Sequence, residues 1–385
     1  MREGWLQTTL GDVCDLTKGT TPTMKARPGP YPLVVTAEDR ASSDEFQFDT
    51  EAVCIPTVSS TGHGHASLKR VHYESGKFAV ANILVACTAK AGAPVLMRYL
   101  WLLLDHSRDQ LIVPLMKGTA NVALSQRALA AVSLILPPLR EQRRIVDLIG
   151  ALDDTRAAAQ AALSASPYRQ MLKALGDLYE PERLEDVVDR AFAGGTPSRQ
   201  VGSYFDGRIP WLKSGEVEND HIVDSAEHIN DVAMRSSSAR LVPSGATVVA
   251  MYGQGDTKGR AGFVEAPVTT NQAVLALIPN VDRIHSRFLL HAVRSRTESL
   301  RSRAVGAAQP NLSKSLVLAE TVPVPQDLRD QRRWADLLDA VRRVESDTQD
   351  EHLRLQAARS SLLTALLSGE HEIPESYDEL MGAVS

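Results

Sequence analysis

The residues able to do chemistry fall into three groups. The first is the stretch Gly253-Gln-Gly-Asp-Thr-Lys-Gly-Arg-Ala-Gly262, rich in glycine and carrying Lys258 and Arg260. Its spacing is neither GxGxxG nor GxxxxGK[ST], so it lacks the pattern that cradles a nucleotide phosphate. A hairpin tip presenting two cations to an anionic surface suits it better, with a solvated turn as the alternative. The second is the polar loop from Thr57 to Arg70, where Ser59, Ser60, Thr61, His63, His65, Lys69 and Arg70 offer donors and acceptors suited to base edges or phosphates. His63 and His65 flank Gly64 with no cysteine or carboxylate cluster nearby, too sparse a set for a metal centre. The third is a pair of arginine clusters, Arg140, Arg143 and Arg144, then Arg329, Arg332 and Arg333. These fit three roles equally well: solvated charge, phosphate contact, or a hold on a partner chain.

Catalytic groups are missing from this inventory. The sequence has no nucleophile motif, no paired catalytic carboxylates, no cofactor fingerprint and no Asn/Asp-Pro-Pro-aromatic motif of the amino-methyltransferase kind. What remains is recognition, and the elements that must position it are duplicated. Leu139-Arg-Glu-Gln-Arg-Arg144 returns as Leu328-Arg-Asp-Gln-Arg-Arg333, an offset of 328 − 139 = 189. Each copy follows prolines, which end the preceding element and suit the first turn of a helix. The offset carries Ile145 onto Trp334, Leu148 onto Leu337 and Leu152 onto Val341, apolar positions at a helix-seam spacing. Asp12, Val13 and Asp15 likewise match Asp186, Val187 and Asp189, and Gly19 and Pro22 match Gly194 and Pro197. A period of this size is domain duplication rather than a solenoid.

Between these landmarks, strands are expected at 31–36, 52–58 and 78–87, and a helix at 93–106. The second copy predicts strands at 209–217 and 246–252 and a helix at 288–303. The last helix, near 329–367, predicts a seam through Trp334, Leu337, Val341, Val344, Thr348, Leu355, Ala358 and Leu362. An acidic frayed tail follows. A helix that long cannot bury its seam on a domain of ordinary size, so the two helices are expected to pack together as an antiparallel pair. The domain plan is 1–137, a helical spacer 138–180, a second domain 181–325, a second spacer 326–370 and a tail 371–385.

Composition bounds the partner class. A net charge of −5 over 385 residues excludes a protein coated in basic charge, but not a local basic groove. Three cysteines without CxxC spacing fit a reducing cytoplasm. No apolar signal core opens the chain, and 95–104 is interrupted by Arg98, so no membrane span is expected. Two related heads on a helical spacer suit a polymeric nucleic acid, whose spaced segments they could read.

These residues together resemble the DNA-specificity (S) subunit of type I restriction–modification systems. The marks are the two Pro-x-Leu-Arg-Glu/Asp-Gln-Arg-Arg helix starts and the openings Gly19-Thr-Thr-Pro22 and Gly194-Gly-Thr-Pro197. Others are Ile209-Pro-Trp-Leu-Lys-Ser-Gly-Glu216, Ala250-Met-Tyr-Gly253, Thr270-Asn-Gln272, Gln309-Pro-Asn-Leu-Ser313 and Ala365-Leu-Leu-Ser-Gly-Glu370. The sequence departs from the pattern at Tyr31-Pro-Leu-Val-Val-Thr36, where the first copy lacks Ile-Pro-Trp-Leu-Lys, and at Gly118-Thr-Ala-Asn-Val-Ala-Leu-Ser125, which lacks the glutamine of the second.

The resemblance implies an α/β (α+β) architecture of two tandem-duplicated target-recognition domains, separated by two long helices packing as an antiparallel coiled coil. Each domain would read half of a bipartite site in double-stranded DNA. The contact candidates are Ser59, Ser60, Thr61, His63, His65, Lys69 and Arg70 in the first domain. In the second they are Lys213, Ser214, Tyr252, Gln254, Thr257, Lys258 and Arg260. Arg140, Gln142, Arg143 and Arg144, with Arg329, Gln331, Arg332 and Arg333, would dock two methyltransferase (M) subunits. The chain itself would be non-catalytic and hold no cofactor or metal. S-adenosylmethionine would sit in the M subunits, and ATP and Mg in a translocating nuclease (R) subunit. A scaffold that docks proteins and reads no DNA is the competing reading.

Overall fold

The computed structural model describes residues 4–23, 26–60, 65–118, 122–217, 221–305 and 311–382. The chain divides into two units, Met1–Gln160 with Glu351–Ser385, and Ala161–Asp350. Each unit therefore owns its recognition domain, part of one long helix and part of the other.

The duplication is legible strand by strand. In the first unit, one antiparallel sheet runs in the order Cys14–Lys18, Leu84–Ala89, Ala52–Pro56, His72–Glu74. In the second unit the order Val188–Ala193, Val274–Pro279, Thr247–Ala250, Ala261–Val264 repeats it, with His221–Ile222 added at the edge. A second sheet in the first unit pairs Tyr31–Val34 parallel with Lys77–Val80, and Ile209–Leu212 pairs parallel with Val268–Thr270 in the second. So Tyr31-Pro-Leu-Val occupies the topological place of Ile209-Pro-Trp-Leu despite its different residues. A two-stranded ribbon closes each copy, Leu6–Thr9 on Ser133–Leu136 and Pro181–Arg183 on Thr321–Pro323.

The repeated glycines have a steric cause. A Cβ on Gly19 would lie 2.2 Å from the carbonyl oxygen of Ala81, and one on Gly194 would lie 2.0 Å from that of Thr270. No side chain fits at either close approach. The run expected at 78–87 is split into Lys77–Val80 and Leu84–Ala89 by a turn in which the Leu84 N–H donates back to Ala81 O, the carbonyl that Gly19 approaches. The helix expected from residue 93 begins at Met97. That expected over 288–303 is two, Ser286–Arg294 and Thr297–Val305.

The first long helix spans Leu139–Ala165 and a second segment spans Pro167–Leu178. Ser166, at φ 38°, breaks the two apart with Pro167 at the first helical position. The last helix is Leu328–Ser368. Within each unit the segments pack antiparallel. In the first, Arg359 clamps Asp153 with two bonds of 2.6 and 2.8 Å, while Arg144 reaches Ile373 O. In the second, Glu345 accepts from the Ser166 hydroxyl and the Tyr168 N–H, while Trp334 Nε1 donates to the Tyr179 hydroxyl.

The expected seam holds at Trp334, Val341 and Leu362, which pack half-buried against the cores of their units, and is displaced elsewhere. Leu337 and Val344 are 49% and 65% exposed, and Ala358 is exposed. The fully buried positions are Gln331, Ala335 and Leu338 in the second unit, and His352, Leu363 and Leu366 in the first. The register follows buried Gln331, with Ala335 and Leu338 at i+4 and i+7. A polar anchor is invisible to an apolar pattern.

The expected frayed tail is folded over its described residues, 371–382. Ile373 is buried, and a helix spans Ser376–Gly382. Asp378 receives Arg140 and Arg144, whose guanidinium hydrogen bonds hold its carboxyl far below the usual carboxylate range.

Candidate nucleic-acid interface

Each copy exposes a loop at the same hairpin of its main sheet. In the second unit, strands Thr247–Ala250 and Ala261–Val264 pair antiparallel, with Val248 opposite Gly262, and residues 251–260 form the connection. Tyr252 and Gln254 are exposed, and Thr257, Lys258 and Arg260 are half-buried. Gly253 sits at φ 154°, where a Cβ would lie 2.6 Å from the Thr257 side chain, so only glycine lets the loop fold back on itself.

The loop is clasped from below by the paired helices Ser286–Arg294 and Thr297–Val305. Arg294 donates to the Ala261 carbonyl through Nε and Nη2, at 3.1 and 2.8 Å. Arg301 donates to the carbonyls of Lys258, at 2.9 Å, and of Asp256. The Thr297 hydroxyl donates to Gly259 O. The loop's cations are legible in the sequence and the clasp is not, because Arg294 and Arg301 lie 33 to 45 residues beyond the carbonyls they hold, in what reads as a plain amphipathic helix. Arg260, Arg294, Arg296, Arg301 and Arg342 line one cleft of about 1350 Å³ within this unit. The mild net negative charge of the chain therefore coexists with a local concentration of guanidinium groups.

Lys213 lies elsewhere in the same unit, in an ion pair of 2.7 Å with Glu227, which also takes Arg199. Hydrogen bonds from Arg199 and Lys213 hold the Glu227 carboxyl below its ordinary range. Ser214 begins the short turn that follows, and Glu216 caps the Lys213 N–H. Lys213 thus fixes its own strand end, next to Trp211, whose indole is buried and donates to Gly195 O.

In the first unit the equivalent loop joins Ala52–Pro56 to His72–Glu74. The Ser59 hydroxyl donates to His65 O and accepts from the Ser67 N–H, and the Ser60 hydroxyl accepts from the Lys69 N–H. These two serines tie the loop's base. Lys69 and His65 are exposed, and Arg70 pairs with Glu38 at 2.9 Å. Thr61 and His63 lie outside the described residues.

The two arginine clusters differ sharply in surroundings. Gln142 and Gln331 are fully buried and act inside the fold. Gln142 accepts from Leu96 N–H and donates to Pro94 and Pro137 carbonyls; Gln331 accepts from His285 N–H and donates to Arg283 and Pro325 carbonyls. Leu96 and His285 are the N-caps of the helices Met97–His106 and Ser286–Arg294, and neither carries a side-chain cap. Each glutamine thus fastens its long helix to a helix of its own domain, a duty that removes both from a docking face. Arg144 is buried as well, beneath the C-terminal segment, and Arg140 pairs with Glu375 and Asp378. Arg143, Arg329, Arg332 and Arg333 are exposed.

Among the described residues, no group of three or more His, Cys, Asp or Glu could hold a metal ion, and no helix is long and apolar enough to cross a membrane. The arrangement can bind by charge and hydrogen bonding at two duplicated loops.

Known proteins resemble this chain in sequence and in fold. The specificity subunit of the type I restriction enzyme EcoR124I/EcoR124II of Escherichia coli is 24% identical over 156 residues, 40% of this chain and 38% of that one. The type I restriction enzyme MjaIX specificity subunit of Methanocaldococcus jannaschii is 25% identical over 159 residues, 40% of this chain and 36% of that one. The chain thus matches well under half the length of these relatives. The crystal structure of a type I restriction–modification S subunit from M. genitalium superposes with a TM-score of 0.64 at 16% identity, covering 94% of this chain and 96% of that one. A chain from a study of complex assembly in the type I restriction–modification system gives a TM-score of 0.55 at 16% identity, over 95% and 98%. The sequence pattern of the type I restriction modification DNA specificity domain matches residues 2–164 and 177–353, so the chain belongs to that family.

Proposed function

We propose that this chain is the DNA-specificity subunit of a type I restriction–modification complex. Each recognition domain reads one half of a split site through its hairpin loop, residues 57–70 in the first and 251–260 in the second. The two long helices set the unread spacer and dock methyltransferase subunits, and a nuclease–translocase subunit joins for cleavage. The chain performs no methyl transfer and holds no cofactor of its own; S-adenosylmethionine belongs to the methyltransferase, and the whole assembly works in the cytoplasm. The observation that carries this reading is the duplicated hairpin, supported at the same sheet position in both copies and, in the second, tied down by a clasp of backbone carbonyl bonds.

Lys258 and Arg260 contact phosphate or base edges of one half-site, and Tyr252, Gln254 and Thr257 flank them. Because the chain's net charge is −5, affinity comes from a handful of local contacts and counterion release, so binding weakens steeply with salt. The test is a titration of the chain, assembled with its methyltransferase, against DNA selected from a random pool. Enrichment of a split motif with a salt-dependent affinity supports the reading. Protein assembly without any sequence selection would favour the scaffold role instead.

A further inference from the structure

We propose that the start of the helix Leu328–Ser368 is the docking face for an acidic, aromatic-bearing segment of a methyltransferase subunit. The inference rests on the docking role above and adds its location and the partner's chemistry. The precedent lies inside the chain. In the first copy, Arg140, Arg144 and Leu148 follow one another at i, i+4 and i+8, a single stripe on the helix. The chain's own segment Ile373-Pro-Glu-Ser-Tyr-Asp378 covers that stripe. Glu375 and Asp378 take the two guanidinium groups at 2.7–3.2 Å, Arg144 Nη1 donates to Ile373 O, and Ile373, Tyr377 and Leu148 join one apolar cluster.

In the second copy the same stripe is Arg329, Arg333 and Leu337, the repeat equivalents at an offset of 189 (329 − 140, 333 − 144, 337 − 148). Here the arginine side chains are 87% and 83% exposed and, among the described residues, pair with Asp327, just before the helix, and Asp330 in its first turn, and Leu337 is 49% exposed. Val344, at 65% exposure, extends the apolar line. Two arginines spaced one helical turn apart above a leucine select carboxylates with the same pitch and an apolar or aromatic side chain beside them. That is the chemistry of the segment that covers their twins. A second copy of this chain is a poorer occupant, because its acidic segment is already folded on its own first unit.

The experiment co-expresses the full chain with the methyltransferase encoded beside it and counts copies in the purified complex by native mass spectrometry. The wild-type chain and a Lys314→Glu control, exposed but off this helix, are expected to carry two methyltransferases. An Arg329→Glu/Arg333→Glu variant is expected to carry one, with an unchanged Tm for the chain alone. Retention of two on the double variant overturns the inference and leaves the docking reading standing. Absence of methyltransferase on the wild-type chain overturns that reading and the inference with it. A complex of two copies of this chain, separated by the double variant, overturns the inference in favour of self-association.

Discussion

Replacing Gln331 by alanine probes the fastening between the last helix and its domain. The side chain is fully buried and makes bonds of 2.7, 3.0 and 2.7 Å to His285 N–H, Arg283 O and Pro325 O. Truncation leaves a helix N-terminal N–H and two carbonyls without that partner. A buried group stranded in this way costs about 1–3 kcal/mol. With water reaching part of the space, the expected loss is roughly 2–4 kcal/mol. For a unit of this size each kcal/mol lowers Tm by about 2–4 °C, so the shift is on the order of 4–16 °C. Gln331→Glu keeps the acceptor for His285 but turns a carboxylate oxygen toward the two carbonyls, and is expected to be at least as damaging at neutral pH. Scanning calorimetry of the whole chain reads both. Gln142→Ala, the repeat equivalent, should lower the stability of the first unit instead. A change below about 0.5 kcal/mol for Gln331→Ala, the size of an ordinary surface substitution, would refute the fastening role.

Further expectations concern the loop, the pH response and the C-terminal segment. Arg301→Ala removes the bonds to Lys258 O and Asp256 O, and should relax base selection at one half-site by about tenfold while the other half keeps its selectivity, read by methylation of substituted sites. Burial lowers the pKa of His72 to about 4 and also depresses His106, His285 and His291. The unfolded chain then takes up protons the folded one refuses, so stability is full above about pH 6.5 and falls as pH drops toward 4. The urea midpoint should therefore be lower at about pH 5 than at about pH 7.5; equal midpoints would contradict it. Asp378→Asn weakens the grip of Arg140 and Arg144 on the C-terminal segment and should speed proteolytic clipping within 369–382, measured by mass spectrometry.

The sequence carries the duplication plainly, because the motif Leu-Arg-Glu/Asp-Gln-Arg-Arg and the paired glycines answer local demands: a helix start and a backbone contact too close for a side chain. It also shows the hairpin loop at 253–262, since glycine punctuation between β-branched runs has few other uses. Other features depend on partners distant in the chain. Gln142 and Gln331 read as surface residues beside arginines, and only the fold brings Leu96 and His285 to them. The apolar spacing finds Trp334, Val341 and Leu362 on the core but also points to exposed Leu337 and Val344, because the register rests in part on a buried amide. Glu375 and Asp378 look like a solvated acidic tail until Arg140 and Arg144 stand opposite. Lys213, a candidate for DNA contact, is paired with Glu227, a carboxylate fourteen residues away that no local pattern links to it.

The central claim is that this chain selects a split DNA sequence for a methyltransferase. Its most direct test is expression of the chain with that methyltransferase in a host lacking the activity, followed by sequencing of methylated adenines genome-wide. The account predicts modified adenines in one bipartite motif with a fixed unread spacer, and loss of specificity in only one half on Arg301→Ala. Assembly with an active methyltransferase that leaves no motif-linked methylation would contradict it.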